Sequence, residues 1–191
     1  MYALALDTAT PALTVGIVDL ETGTTLAQRG QTHSRGHAEV LVPFLLECLD
    51  EAGLQRSDLG AVIVGCGPGP FTGLRVGMAT GAAFGDALGI EVHGVCSLDA
   101  IAHGHPGEIV VLTDARRKEV YWARYRDGAR IDGPGVIKPA DLDIAGATVV
   151  EGSPTPETLV AVGRNLIGTP PQPLVPLYLR RPDAVEMAAR G

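Results

Sequence analysis

No part of this 191-residue chain approaches the ~18 uninterrupted apolar residues of a membrane-spanning helix, so no transmembrane segment is expected. The start, Met1-Tyr2-Ala3-Leu4-Ala5-Leu6-Asp7, lacks a basic region and reads as a first strand rather than a secretory signal. Cysteine is scarce. Cys48, Cys66 and Cys96 are odd in number and show no metal-ligand spacing, which predicts buried, reduced thiols in a cytoplasmic protein. Basic charge is in deficit, with a formal net charge of −7. The first hundred residues carry 11 acidic and 4 basic side chains, the remainder 11 of each. An acidic first half is a poor surface for nucleic acid, whose phosphates must be met by Lys or Arg. The one basic cluster, Arg116-Arg117-Lys118 with Arg124 and Arg126 beyond it, reads either as a solvated hairpin end or as a direct RNA contact. No internal repeat is visible.

What is present suffices for one large domain or two small ones with a real core. Apolar runs at 2–7 and 13–19 around Thr8-Ala9-Thr10-Pro11 predict a β-hairpin, and Glu21-Thr22-Gly23 turns into a third strand near 24–29. A helix is expected at 37–52, strands at 61–65 and 90–95, and a short helix from Leu98 to His103 with Ser97 as its N-cap. The order βββαβαβ(α) is that of a ribonuclease-H-like α/β lobe. A second unit starts past His103-Gly104-His105-Pro106, with a hairpin of 108–113 and 119–125 closed by Ala115-Arg116-Arg117-Lys118. Residues 127–147 are weakly patterned, and 156–167 suggest a short helix. The expected division is therefore an N-terminal lobe 1–103, a reduced C-terminal lobe 104–180 and a flexible tail 181–191.

The stretch from Cys66 to Gly77, CGPGPFTGLRVG, follows a strand and opens a helix, as phosphate-binding loops do. Its spacing fits none of them. The third glycine comes one place late for a dinucleotide fingerprint, and no lysine follows Gly73 as a Walker loop requires. Its prolines remove backbone donors. The glycines continue instead, at Gly73, Gly77, Gly81 and Gly85, in a helix capped by Thr72 and ending at Gly89. Each interior glycine costs about 1 kcal/mol relative to alanine, so close packing must offset the series. The neighbour is either the chain's own sheet or another protein.

The 37–52 helix has a related surplus. Val40, Leu41, Val42, Phe44, Leu45, Cys48, Leu49 and Ala52 fill an arc of about 200°, twice what a surface helix needs, with Pro43 inside it. One part can cover a sheet while the rest faces another molecule. Candidate chemistry is sparse. His33 and His37 are spaced i, i+4, but Ser34 stands where a zinc-protease glutamate belongs. Asp7 at a strand end could orient a metal or water, or simply cap its turn. No Ser/His/Asp or Cys/His grouping has supporting context.

Taken in order, Leu6-Asp7-Thr8-Ala9-Thr10, His37-Ala38-Glu39-Val40-Leu41-Val42-Pro43, Gly67-Pro68-Gly69-Pro70-Phe71-Thr72-Gly73-Leu74-Arg75-Val76-Gly77, Thr113-Asp114-Ala115-Arg116 and Pro176-Leu177-Tyr178-Leu179-Arg180 resemble the TsaB (YeaZ) family of tRNA threonylcarbamoyladenosine biosynthesis proteins. The resemblance is strong over 2–125 and thin through 127–170. It implies an ASKHA (actin/Hsp70-like) α/β fold with a reduced second lobe. It also implies a non-catalytic scaffold that dimerises with the paralogue TsaD, is joined by the ATPase TsaE, and meets tRNA mostly through the complex. The same two helices are implied to pair either with TsaD or with a second copy of this chain, and the sequence leaves open whether the chain alone is a homodimer. ATP and a metal ion are then expected in the partner subunits and no cofactor in this chain. The implied interface is His37, Leu41, Leu45, Leu49, Gly73, Arg75, Val76, Gly77, Thr80, Gly81 and Phe84. Gly77→Leu or Leu45→Glu should accordingly abolish pairing and spare the fold. Asp7 and Asp114 would be relics of a nucleotide site whose phosphate space is filled by the side chains of Arg116-Arg117-Lys118. The rival readings are a freestanding glycoprotease-like metallohydrolase and an ASKHA ATPase.

Overall fold

The computed structural model describes residues 1–32 and 36–180. The expected tail 181–191 and His33, with its proposed pairing to His37, lie outside the described residues.

The first sheet is built from β1 (Tyr2–Asp7), β2 (Leu13–Asp19), β3 (Thr25–Gln31), β4 (Leu59–Gly65) and β5 (Glu91–Val95), in the order β3-β2-β1-β4-β5. β1 pairs antiparallel with β2, Leu4 opposite Ile17, and parallel with β4, Leu4 opposite Val62. Successive side chains in a strand point to opposite faces. Leu4, Leu6, Val62 and Val64 therefore enter one core, against helices α1 (His37–Glu51) and α2 (Phe71–Leu88). Ala3, Ala5, Ala61 and Ile63 enter the other. Burial on both faces explains why β1 and β4 read as near-continuous apolar runs.

Two helix starts differ from expectation. α2 begins at Phe71 with Pro70, not Thr72, as its N-cap, and no side chain caps it. Its C-cap is Gly89 at φ 66°, as expected. α3 (Ser97–Ala102) has Cys96 as N-cap. The Ser97 hydroxyl is occupied elsewhere: it donates to Asp7 and accepts from the Gly67 amide at 3.2 Å.

The second sheet has the order β8-β7-β6-β9, from β6 (Glu108–Asp114), β7 (Val120–Arg126), β8 (Ala129–Ile137) and β9 (Thr148–Glu151). β6, β7 and β8 form an antiparallel meander and β9 joins β6 in parallel, repeating the plan of β1, β2, β3 and β4. Sequence reading missed β8 and β9 for the same reason. Both are edge strands, β8 has no buried residue and contains Gly133-Pro134-Gly135, and β9 has four residues, so no alternation develops. This is the ASKHA architecture, two ribonuclease-H-like lobes with the second reduced.

The expected division at residue 103 is crossed in both directions. α3 packs Leu98, Ile101 and Ala102 on Ile109, Val111, Ala123 and Tyr125 of the second sheet. The helix α4 (Pro156–Gly163) returns to the first sheet, where Leu159 and Val160 meet Ala3, Ala5 and Ile63. Small residues admit it: a Cβ on Gly16 would lie 2.6 Å from Pro156 Cγ. Each fully buried leucine here contributes about 1.5–3 kcal/mol, which locks the lobes together.

Candidate functional site: the interlobe cleft and the outer helix face

Both lobes open with a hairpin, and the two hairpin turns face a cleft of about 420 Å³ lined by Thr8, Thr10, His37, Thr72, Asp114 and Arg116, among others. Asp7, at the end of β1, is fully buried. Its Oδ1 accepts the amides of Ala9 (2.8 Å) and Thr10 (3.4 Å), and its Oδ2 accepts the Ser97 hydroxyl. Burial pushes its carboxyl above the usual range, while those hydrogen bonds and nearby His37 pull the other way. Asp7 thus ties the first hairpin to the start of α3 and does not line the cleft. Next to it, the Thr8 hydroxyl donates to the Gly73 carbonyl at 2.7 Å and accepts the Gly77 amide at 3.0 Å, fixing the entry of α2.

Across the cleft, Asp114 is exposed and its Oδ1 accepts the Arg116 amide at 2.9 Å. The turn that follows is strained. Arg116, Arg117 and Lys118 have φ of 61°, 54° and 63°, a left-handed region costing about 1–2 kcal/mol for each side chain other than glycine. Arg116 lines the cleft. The thiols offer no nucleophile: burial pushes Cys66 up to about 12 and Cys48 and Cys96 up to about 11.

The helix pair requires a correction to the expected interface. Leu41 and Leu45 have no exposed surface, Leu49 is buried, and all three belong to the chain's own core. His37 is buried at the cleft. The glycine stripe faces the first sheet: a Cβ on Gly73 would lie 2.6 Å from the Thr8 carbonyl, on Gly77 2.4 Å from Thr8 Oγ1, and on Gly81 2.5 Å from Val64. Close approach to the chain's own sheet is what offsets the glycines. Gly77→Leu and Leu45→Glu would therefore disrupt the fold itself, by overpacking and by burying an unpaired charge. Of the expected set, Arg75 is exposed and Val76, Thr80 and Phe84 are half-buried.

Sequence reading had noted the surplus apolar arc, and the leucines it named there, Leu41, Leu45 and Leu49, lie on its inward half. The outward half carries Ala38, Val42, Pro43 and Leu46 on α1, with Ala79, Ala82, Ala83 and Ala87 on α2. Val42 is 44% and Leu46 39% exposed. Leu46, Leu54, Ala87, Leu88 and Ile90 also line an open groove of about 800 Å³ at the C-terminal ends of the two helices. At the opposite end, the segment 172–180 crosses the start of α2. The Leu177 amide donates to the Cys66 carbonyl at 2.9 Å, Tyr178 stacks on Phe71 with centroids 5.1 Å apart, and Arg180 pairs with Glu119.

A family model described as TsaD, tRNA N6-adenosine threonylcarbamoyltransferase, matches residues 29–172, well over half of the chain. A protein of Escherichia coli K12 named "tRNA threonylcarbamoyladenosine biosynthesis protein TsaB" is 36% identical over 133 residues, 66% of this chain and 55% of that protein. The chain belongs to the TsaB (YeaZ) branch of this family. A solved structure named "YeaZ from Pseudomonas aeruginosa" superposes with a TM-score of 0.78 at 25% identity, covering 93% of this chain and 99% of that one. An uncharacterized protein of Mycobacterium tuberculosis H37Rv is 52% identical over 199 residues, 97% of this chain and 94% of that protein. The chain spans about half the length of the curated TsaB relatives it matches. No helix among the described residues is long and apolar enough to cross a membrane.

Proposed function

We propose that this chain acts in the synthesis of threonylcarbamoyladenosine on tRNA as a non-catalytic scaffold, pairing with a TsaD-like paralogue through the outer face of α1 and α2. TsaB membership supports the pathway. The observation that carries the scaffold reading is the outward apolar face beside a stripe of small residues. α2 has only Arg75 and Asp86 as charged residues, and its exposed alanines leave room for a second helix pair to approach closely. A TsaE-like ATPase joins that pair, and threonylcarbamoyl transfer with its ATP and metal belongs to the partner subunits. The non-catalytic role is supported by the cleft: Asp7 is committed to structural hydrogen bonds outside its lining, and Arg116 stands in its wall.

The decisive experiment is co-purification with the TsaD-like paralogue of the same organism, using Val42→Asp and Ala83→Glu. Both positions are exposed, so the melting temperature should stay near wild type, while each charge set into an apolar interface should weaken capture at least ~10-fold. Undiminished capture of both variants would exclude this face as the interface.

A further inference from the structure

Three parts of the chain meet at the mouth of the cleft, and together they make a surface of a different kind from the helix face. From α2 come Phe71, 50% exposed, and Arg75, whose guanidinium carbon lies 4.3 Å from the Phe71 ring centroid. From the C-terminal segment comes Tyr178, 39% exposed, stacked on Phe71 at an interplanar angle of 25° and accepting from Arg75 Nε at 3.3 Å. From the second lobe comes the strained turn of Arg116, Arg117 and Lys118. Phe71 and Arg116 line the same cleft, and the Arg180–Glu119 ion pair holds the tyrosine segment against the base of the turn.

The charge is concentrated here against the trend of the chain. Among the described residues, Arg29 is neutralised by Glu47 and Glu51, Arg124 and Arg126 by Glu108, and Arg130 by Asp99. Neither Arg116 nor Lys118 has an acidic side-chain partner among the described residues. Asp114, the nearest carboxylate in sequence, accepts the backbone amide of Arg116. A surface left basic in a chain of net charge −7 is suited to an anionic partner.

We propose that this mouth binds single-stranded RNA, with the Phe71–Tyr178 pair as a stacking platform for an unpaired base and Arg116 and Lys118 meeting the phosphates on either side. Cations alone would suit any polyanion. Exposed aromatic side chains beside them, with Tyr178 outermost on the Phe71 stack, favour a loop over a duplex, because a duplex buries its base faces in its own stack. Left-handed backbone at three successive residues sets Arg116 and Lys118, both exposed, on one short turn. The proposal extends the tRNA reading above and does not depend on the helix face.

The test is fluorescence polarisation with the full-length chain, an anticodon stem-loop RNA and a duplex RNA of equal length, over a salt series. The wild-type chain should bind the stem-loop more tightly than the duplex. Arg116→Glu with Lys118→Glu should weaken stem-loop binding at least ~10-fold and flatten its salt dependence by about 0.7–0.9 log unit per cation lost. Tyr178→Ala should weaken the stem-loop about 5- to 10-fold and leave the duplex unchanged, with Tyr178→Phe restoring binding. If the charge-reversed chain melts early, Arg116→Gln with Lys118→Gln replaces it under the same criteria. No stem-loop binding by wild type at low salt, or equal binding by the charge variants, would overturn the proposal. So would loss of paralogue capture at unchanged RNA affinity, which would make the turn a protein contact. Val42→Asp should bind RNA as wild type does, so failure of the docking reading and failure of this one are separable.

Discussion

The hairpins that open the two lobes are the same device in different surroundings. β1 ends in Asp7 and β6 in Asp114, and each carboxylate accepts the amide two residues on, at 2.8 and 2.9 Å. Asp7 lies buried against the start of α3, where its second oxygen is taken by Ser97, and the neighbouring Thr8 anchors α2. Asp114 lies in solvent, and the turn beyond it carries three left-handed basic residues. The local hydrogen bond is set by the Asx chemistry of the strand end. Whether it becomes a keystone or a surface decoration depends on what packs over it.

Substitutions should break this asymmetry unevenly. The largest effect is expected from Gly77→Leu, where a Cβ would already lie 2.4 Å from Thr8 Oγ1. It should yield no folded chain or lose well over ~3 kcal/mol, whereas Ala83→Leu on the exposed side of the same helix should melt near wild type. A wild-type urea midpoint for Gly77→Leu would contradict the packing described.

Asp7→Ala comes next. It strands three donors at a buried site and should cost about 3–5 kcal/mol, against about 0.5–1 kcal/mol for Asp114→Ala in solvent. Equal losses in chemical denaturation would erase the distinction between the hairpins. The pH dependence sharpens it. Burial raises the folded carboxyl of Asp7 above its ordinary value of 3.8, so its contribution is complete below that value and is lost as pH rises through the folded one. The wild type should therefore gain stability relative to Asp7→Asn as pH falls from neutrality towards 4, measured as the difference between their denaturation midpoints across that range.

The smallest effect is at the second turn. Lys118→Gly removes one left-handed side chain and should stabilise by about 0.5–1 kcal/mol, the relief of strain exceeding the added flexibility of glycine in the unfolded chain. A destabilised Lys118→Gly would mean that the turn is held by contacts of the lysine rather than tolerated despite them.

Much of the first lobe was legible because its elements bury regular stripes. Leu4 and Leu6 alternate with Ala3 and Ala5, and Leu41, Leu45, Cys48 and Leu49 recur at helical spacing. The second lobe was read only where such a stripe exists, in β6 and β7. β8 and β9, at the sheet's two edges, left no pattern, and the repeat of the first lobe's plan in the second is carried by topology without sequence similarity. The helix pair was legible in sequence, but not which side of it the chain buries in its own core. The glycine stripe was seen, its close neighbour was left open between sheet and partner, and the neighbour is Thr8, Val64 and Val92.

The sequence by itself determined that α1 has more apolar surface than one contact can use and that α2 must be approached closely. It also placed a basic turn after Asp114. Periodicity measures how wide an apolar face is and where charge accumulates along the chain. Only the tertiary structure decided which half of each helix meets the sheet, leaving Val42, Leu46, Ala79 and Ala83 outside. It also brought Tyr178, more than one hundred residues away, onto Phe71 and Arg75. Those contacts join segments distant in sequence, and local spacing carries no information about which segments will meet.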